Sequence, residues 1–232
     1  MESLYPFLYE SAADLGAVLD QVRNSTTAKI NEVIELRRTV AARDGERLAR
    51  CAAQLAGAFA AGGRLFAFGN GGSATDAQQL ATLFLNPGGT ARPLPALALA
   101  SDTAVITALS NDIGTGVVFA RQLAAYGTGR DIAVGLSTSG NSENLLRAFG
   151  EASARGMLTI GLAGYDGGKM AELDSIGYLF VAPSASVHRI QEAQTTTYHV
   201  LWELTQAALA RPGGNPVTGH DRRERKGDLP CA

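Results

Sequence analysis

The stretch that most restricts what this chain can fold into is residues 64–83, RLFAFGNGGSATDAQQLATL. A short apolar run of β character, Leu65-Phe66-Ala67-Phe68, breaks into a turn of small residues, Gly69-Asn70-Gly71-Gly72-Ser73, and resumes as a helix from about Ser73. A strand, a glycine-rich turn and a helix start in that order build an anion site. The first-turn N–H groups lack intrahelical acceptors, and the positive end of the helix dipole faces the turn. Gly71 and Gly72 let the backbone come close, and Ser73 is placed to supply an N-cap hydroxyl. No Gly-Lys-Ser/Thr follows, so the turn is not a P-loop. The G-x-G-x-x-G spacing fails after Gly71, so it is not a dinucleotide fingerprint. An ordinary tight turn between strand and helix accounts for the same glycines, so a second motif is needed.

That motif is Ser137-Thr138-Ser139-Gly140-Asn141-Ser142, after a nearly all-apolar strand at 131–136. It sets four hydroxyls in six residues at the start of a helix expected over 143–155. Each hydroxyl can donate one hydrogen bond to a phosphate oxygen, and the free N–H groups of the turn add more. Neither turn contains Lys or Arg, so a phosphate here is gripped by neutral donors and a helix dipole.

Around these motifs, strands are expected at 65–68, 94–100, 131–136, 158–163 and 176–182. Helices are expected at 73 onward, 103–109, 117–126, 143–155, a short one at 169–173, and 187–210. Asn111-Asp112 reads as a helix break, and Ser101-Asp102 as a cap. Strands alternating with helices predict an α/β fold: a three-layer αβα sandwich around a five-stranded parallel sheet of flavodoxin-like type. In such sheets ligands sit beyond the carboxyl ends of the strands, where the strand order reverses. Both hydroxyl-rich turns leave carboxyl ends and can share one crevice.

Before the first strand the apolar spacing predicts three helices, 2–24, 26–42 and 45–61, the last stopped by Gly62-Gly63. So much flanking helix suggests packing on another subunit. The expected organisation is N-terminal oligomerisation helices over 1–44, the sandwich domain over 45–210, and a mobile polar tail over 211–232. The basic residues of that tail, Arg222, Arg223, Arg225 and Lys226, alternate with acids and read as solvated.

The 232 residues carry a net charge of −2 with a pI near 5.9, which gives no reason to expect nucleic acid or an anionic membrane as partner. Cys51 and Cys231 form no C-x-x-C pair, no basic leader opens the chain and no apolar run reaches membrane length. A reduced, cytoplasmic setting is the expectation.

Four segments, GNGGSATDAQ at 69–78, LSTSGNSENLLRA at 136–148, GLAGYDGGKMAEL at 161–173 and HRIQEAQTTTYHVLWEL at 188–204, together resemble the sugar isomerase (SIS) domain family. Within it they look most like its phosphoheptose isomerase branch, over about 45–210. The resemblance implies a phosphorylated sugar between the two turns, with Gly71, Gly72, Ser73, Ser137, Thr138, Ser139 and Ser142 on the phosphate and Asn70 and Asp102 on sugar hydroxyls. It also implies a homotetramer and ketose–aldose interconversion through an enediol, often assisted by zinc.

The chain departs from that pattern on one helix. The family's His and, four residues later, Glu are here Gln79 and Leu83. Gln191 and His199 match the remaining pair of zinc ligands, but two donors fall short of the three protein ligands of catalytic zinc. Gln191, Thr195 and His199 recur every four residues, so one stripe can face the crevice. Gln191 and His199 are therefore the catalytic candidates, with Gln191 also binding substrate. Glu192 points about 100° away from Gln191 on an ideal helix and reads as structural. Asp76 and Glu143 read as helix-capping groups. His188 stands where the family usually has an acid and could act from a neighbouring subunit. Three readings stay open: an isomerase with an altered catalytic set, a non-catalytic sugar-phosphate-binding regulator resembling the replication-initiator-associating type, and another SIS-type sugar-phosphate reaction.

Overall fold

The computed structural model describes residues 15–210. Five strands, β1 (Leu65–Gly69), β2 (Ala96–Ala98), β3 (Ile132–Ser137), β4 (Leu158–Gly164) and β5 (Tyr178–Ala182), form one parallel sheet in the order β2-β1-β3-β4-β5. This is the flavodoxin-like order, and the chain reverses direction across the sheet between β1 and β3. Gly69 is in register with Leu136, so the turns that follow β1 and β3 leave the sheet side by side.

Among the described residues six α-helices cover the sheet: α1 (Leu15–Ala60), α2 (Gly72–Leu85), α3 (Thr103–Ile113), α4 (Val118–Tyr126), α5 (Glu143–Ala154) and α6 (Val187–Leu209). The two-residue alternation of a strand sorts the core into two halves. Leu65, Ala67, Val134 and Leu136 pack with Leu55 of α1, Leu80 and Phe84 of α2, and Leu201 of α6. Phe66, Phe68 and Ala133 face the other way, onto Phe119 and Leu123 of α4 and Leu145 and Phe149 of α5. All five residues of β1 and all six of β3 are buried, as strands covered on both faces must be.

The expected helix breaks near 25 and 43–45 do not occur. Residues 15–60 form one helix of 46 residues, about 70 Å at 1.5 Å per residue. The local signals at Arg43-Asp44-Gly45 are overridden by neutralisation. Asp44 is 1% exposed and accepts from Arg43 Nη2 and from Arg47 Nη1, and Arg43 also donates to the Val181 carbonyl of β5. Residues 2–14 of the first expected helix, and the tail beyond 210, lie outside the described residues. From Val33 onward α1 packs inward, whereas Val18, Leu19, Val22 and Ile30 are about half exposed. Asn111-Asp112 does not end its helix either; α3 runs through to Ile113.

The amino ends of β1 and β3 are tied by Asp131. It accepts from the Arg64 N–H (2.8 Å), the Arg64 guanidinium, and both the N–H and hydroxyl of Thr128 (2.9 Å each). Burial pushes this carboxyl up, but the bonds from Arg64 and Thr128 together outweigh it and hold it below the usual carboxylate range. Cys51 is fully buried, and burial pushes its thiol far up, so it behaves as a small apolar side chain. Among the described residues no helix is long and apolar enough to cross a membrane.

Candidate active site

The turn after β1 is closed by backbone bonds from Ser73 N–H to the Asn70 carbonyl and from Ala74 N–H to that of Gly71. Helix α2 therefore starts one residue earlier than expected, with Gly71 as its N-cap and no side-chain cap. Ser73 is not the cap. It lies buried in the first turn, and its hydroxyl has no partner among the described residues. Gly72 is a seat: a Cβ there would stand 2.8 Å from Nε2 of Gln191, which arrives from α6.

The turn after β3 organises its own hydroxyls. Ser137 Oγ accepts from Gly140 N–H (3.1 Å) and Ser139 Oγ accepts from Asn141 N–H (3.2 Å). A hydroxyl that accepts a backbone N–H keeps its own proton to donate. Ser142 takes the N-cap position of α5, but its hydroxyl pairs with that of Ser137 (3.3 Å), either being able to donate, rather than with the helix. The Glu143 and Asn144 N–H groups find no backbone acceptor among the described residues, as expected at an open helix start. Gly140 is required here. A Cβ on it would lie 1.9 Å from the Gly167 carbonyl oxygen, and its φ is +66°. The loop after β4 braces this turn from below, with Lys169 N–H donating to Asn141 Oδ1.

One side-chain pair joins the two turns. Asn70 Nδ2 donates to Asn144 Oδ1 and Asn144 Nδ2 donates back to Asn70 Oδ1, both at 2.9 Å. The turn carrying Ser73 and the turn carrying Ser137, Thr138, Ser139 and Ser142 are thus joined at the β1/β3 switch point. Asp102 stands after β2 as the N-cap of α3, accepting from Val105 N–H (3.0 Å). Gln78 of α2 reaches the neighbouring Ser101 hydroxyl at 3.3 Å.

Beside these turns lies the contact of α2 with α6. Gln191 Nε2 donates to Asp76 Oδ2 at 2.7 Å, and Tyr198 Oη donates to Gln79 Oε1 at 3.2 Å. Asp76 is therefore no capping group. It stands past the first turn of α2, half-buried and facing α6. Burial raises its pKa, and the bond from Gln191 offsets part of the rise. Burial also raises the Tyr198 phenol; a bond from Thr195 opposes this, and the nearby Asp76 charge reinforces it. His199 sits differently from the expected stripe: it is exposed, and its ring stacks on Tyr198 with centroids 5.2 Å apart. Seven residues after Gln191, Tyr198 returns within about 20° of it on an ideal helix, whereas His199 is about 80° round. Glu192 pairs with Arg189, Glu143 pairs with Arg147, and His188 is exposed.

The donor set does not fit zinc. Gln79 spends its carbonyl on Tyr198, Leu83 packs against the apolar core, and Gln191 gives its amide nitrogen to Asp76. Only Gln191 and His199 remain of the expected set, and no group of three His, Cys, Asp or Glu side chains comes together among the described residues.

Sequence reasoning missed Asn144, the Asp76–Gln191 bond and Tyr198. The four-residue step from Gly72 to Asp76 places both on one face of α2 and was the available signal for the second of these.

The chain belongs to the SIS domain family, whose sequence profile matches residues 28–164. It is similar to the phosphoheptose isomerase of Desulfovibrio desulfuricans, 43% identical over 191 residues, which cover 82% of this chain and 90% of that protein. The phosphoheptose isomerase of Aquifex aeolicus is 44% identical over 62% of this chain and 75% of its own length. Among solved structures, the phosphoheptose isomerase of Neisseria gonorrhoeae superposes with a TM-score of 0.73 at 34% identity, over 80% of this chain and 99% of that one. That of Francisella tularensis gives 0.68 at 33% identity, over 82% and 98%.

Proposed function

We propose that the protein is a sugar-phosphate isomerase of the phosphoheptose type, interconverting sedoheptulose 7-phosphate and heptose 7-phosphate with an acid/base set different from that of its relatives. The observation that carries this reading is the reciprocal Asn70–Asn144 pair, which makes one cradle of two hydroxyl-bearing turns. The hydroxyls of Ser73, Ser137, Thr138, Ser139 and Ser142, with the N–H groups of Gly71 and Gly72, bind the phosphate. Asn70 and Asp102 meet sugar hydroxyls; each amide of the pair still has one N–H and one lone pair to offer. Gln191 and Gln79 orient the chain of the sugar.

The reaction belongs to the cytoplasm, and the protein works as a homotetramer. The exposed apolar positions Val18, Leu19, Val22 and Ile30 on the projecting half of α1 support self-association.

A second reading, sugar-phosphate binding without turnover, draws on Leu83 and Gln79, which pack and pair where an acid/base set would need free groups. The deciding experiment is incubation with sedoheptulose 7-phosphate, with and without zinc, followed by NMR. Aldose product establishes the isomerase. Tight binding with no aldose under either condition, and no rescue by Leu83→Glu combined with Gln79→His, selects the second reading.

A further inference from the structure

Enediol chemistry needs a group that accepts a proton from carbon and gives it back. Most carboxylates around the two turns are unsuited to that. Glu143 is paired with Arg147 and Glu192 with Arg189, so each has an oxygen engaged by a guanidinium. Asp102 and Asp166 each spend an oxygen on a backbone N–H of their own turn. Asp76 differs on every count. It lies three residues after Ser73 on the same face of α2, so it stands one helical turn from the phosphate cradle. It is half-buried, and no cation among the described residues pairs with it. The groups facing it from α6 are the Gln191 amide and the Tyr198 phenol, and its own helix adds Gln79. Gln191 fixes Oδ2 and leaves Oδ1 without a partner among the described residues.

We propose that Asp76 is the catalytic carboxylate of a metal-independent isomerase site. The inference rests on the sugar-phosphate isomerase reading above. In the open-chain ketose phosphate, the C1–H bond breaks and its proton passes to Asp76. The electron pair of that bond forms the C1=C2 double bond, and the C2 carbonyl oxygen takes up a proton, giving the enediol. The O1 hydroxyl then loses its proton as C1=O forms, and Asp76 returns its proton to C2. Nothing is oxidised or reduced overall, and the proton gained at O2 balances the one lost at O1. Gln191 is the positioning residue, because it fixes the orientation of the carboxylate.

The test is Asp76→Asn in the full chain. Asn keeps an oxygen that accepts from Gln191, so the α2–α6 contact survives, and removing a desolvated carboxylate leaves the melting temperature at or above that of the parent. Three quantities are compared after dialysis against a chelator: turnover of sedoheptulose 7-phosphate by NMR, its affinity by calorimetry, and exchange of the C1 hydrogen with D2O. In the variant, turnover and exchange fall by about a hundredfold or more while affinity changes by less than about threefold. Asp76→Glu restores part of the exchange, and the parent protein is as active after chelation as before. The proposal is overturned if Asp76→Asn turns over normally, if chelation abolishes activity and zinc restores it, or if the parent binds the sugar phosphate without turnover. This last outcome leaves the sugar-phosphate reading standing, whereas failure of the parent to bind any sugar phosphate sinks that reading and the inference together.

Discussion

The two hydroxyl-bearing turns and the α2–α6 contact adjoin one another, yet they are held by different means. The cradle is a matter of backbone. Two of its hydroxyls, those of Ser137 and Ser139, are fixed by N–H groups two or three residues away, and three of its glycines, Gly69, Gly72 and Gly140, sit against neighbouring atoms. The α2–α6 contact is made by long side chains that meet only because two distant helices are packed together. Binding can therefore be retained while the groups for chemistry are exchanged: altering one side chain of α2 leaves the turns as they were, whereas altering a turn residue moves backbone.

The sharpest way to break this contrast is Gly140→Val. A side chain 1.9 Å from a backbone oxygen cannot be relieved by a rotamer change, and the residue would also hold a positive φ. A loss of about 3 kcal/mol or more in stability is expected, together with loss of sugar-phosphate affinity, read by thermal unfolding and calorimetry. Asp131→Ala comes next and should affect stability alone. It removes five hydrogen bonds at the amino end of the sheet and costs about 2–3 kcal/mol in urea unfolding at pH 7, with phosphate affinity unchanged. Because the folded carboxyl titrates below its unfolded value, this contribution is complete above about pH 5 and disappears as pH falls through the folded pKa. The difference between parent and variant should accordingly shrink in acid; a constant difference would contradict the assignment.

Ser137→Ala probes the cradle more gently. It strands the Gly140 N–H and removes one donor, so phosphate affinity should fall about tenfold, or about 1.4 kcal/mol. Tyr198→Phe should have the smallest effect, under about 1 kcal/mol, because Gln79 is exposed and water can replace the lost phenol. Its phosphate affinity should match the parent's; a tenfold loss would show that the two regions are not separable.

Where the sequence misled, the cause was a partner beyond the reach of local signals. Asp44-Gly45 reads as a helix end until Arg43 and Arg47 neutralise the carboxylate and β5 supplies a carbonyl for Arg43. Ser73 reads as an N-cap because serine favours that position, but the close turn at Gly71 starts the helix first. Asp76 reads as a capping acid because the residue it serves, Gln191, is 115 positions away. Tyr198 and Gln79 are 119 apart, and Asn70 and Asn144 are 74 apart. By contrast all five strands, the two hydroxyl turns and the last helix were legible, because apolar runs, glycines and serines declare themselves within a few residues.

The amino-acid sequence by itself determined a parallel α/β sheet with two glycine- and hydroxyl-bearing turns at its carboxyl edge, since strand, turn and helix start are local events set by neighbouring residues. Only the tertiary structure decided that these turns are joined through Asn70 and Asn144 at the strand-order reversal, that Tyr198 rather than His199 faces α2, and that Asp76 is a half-buried carboxylate paired with an amide. Those are contacts between segments far apart in the chain, and they depend on the rotation and depth at which α6 packs against α2, which no short window of sequence specifies.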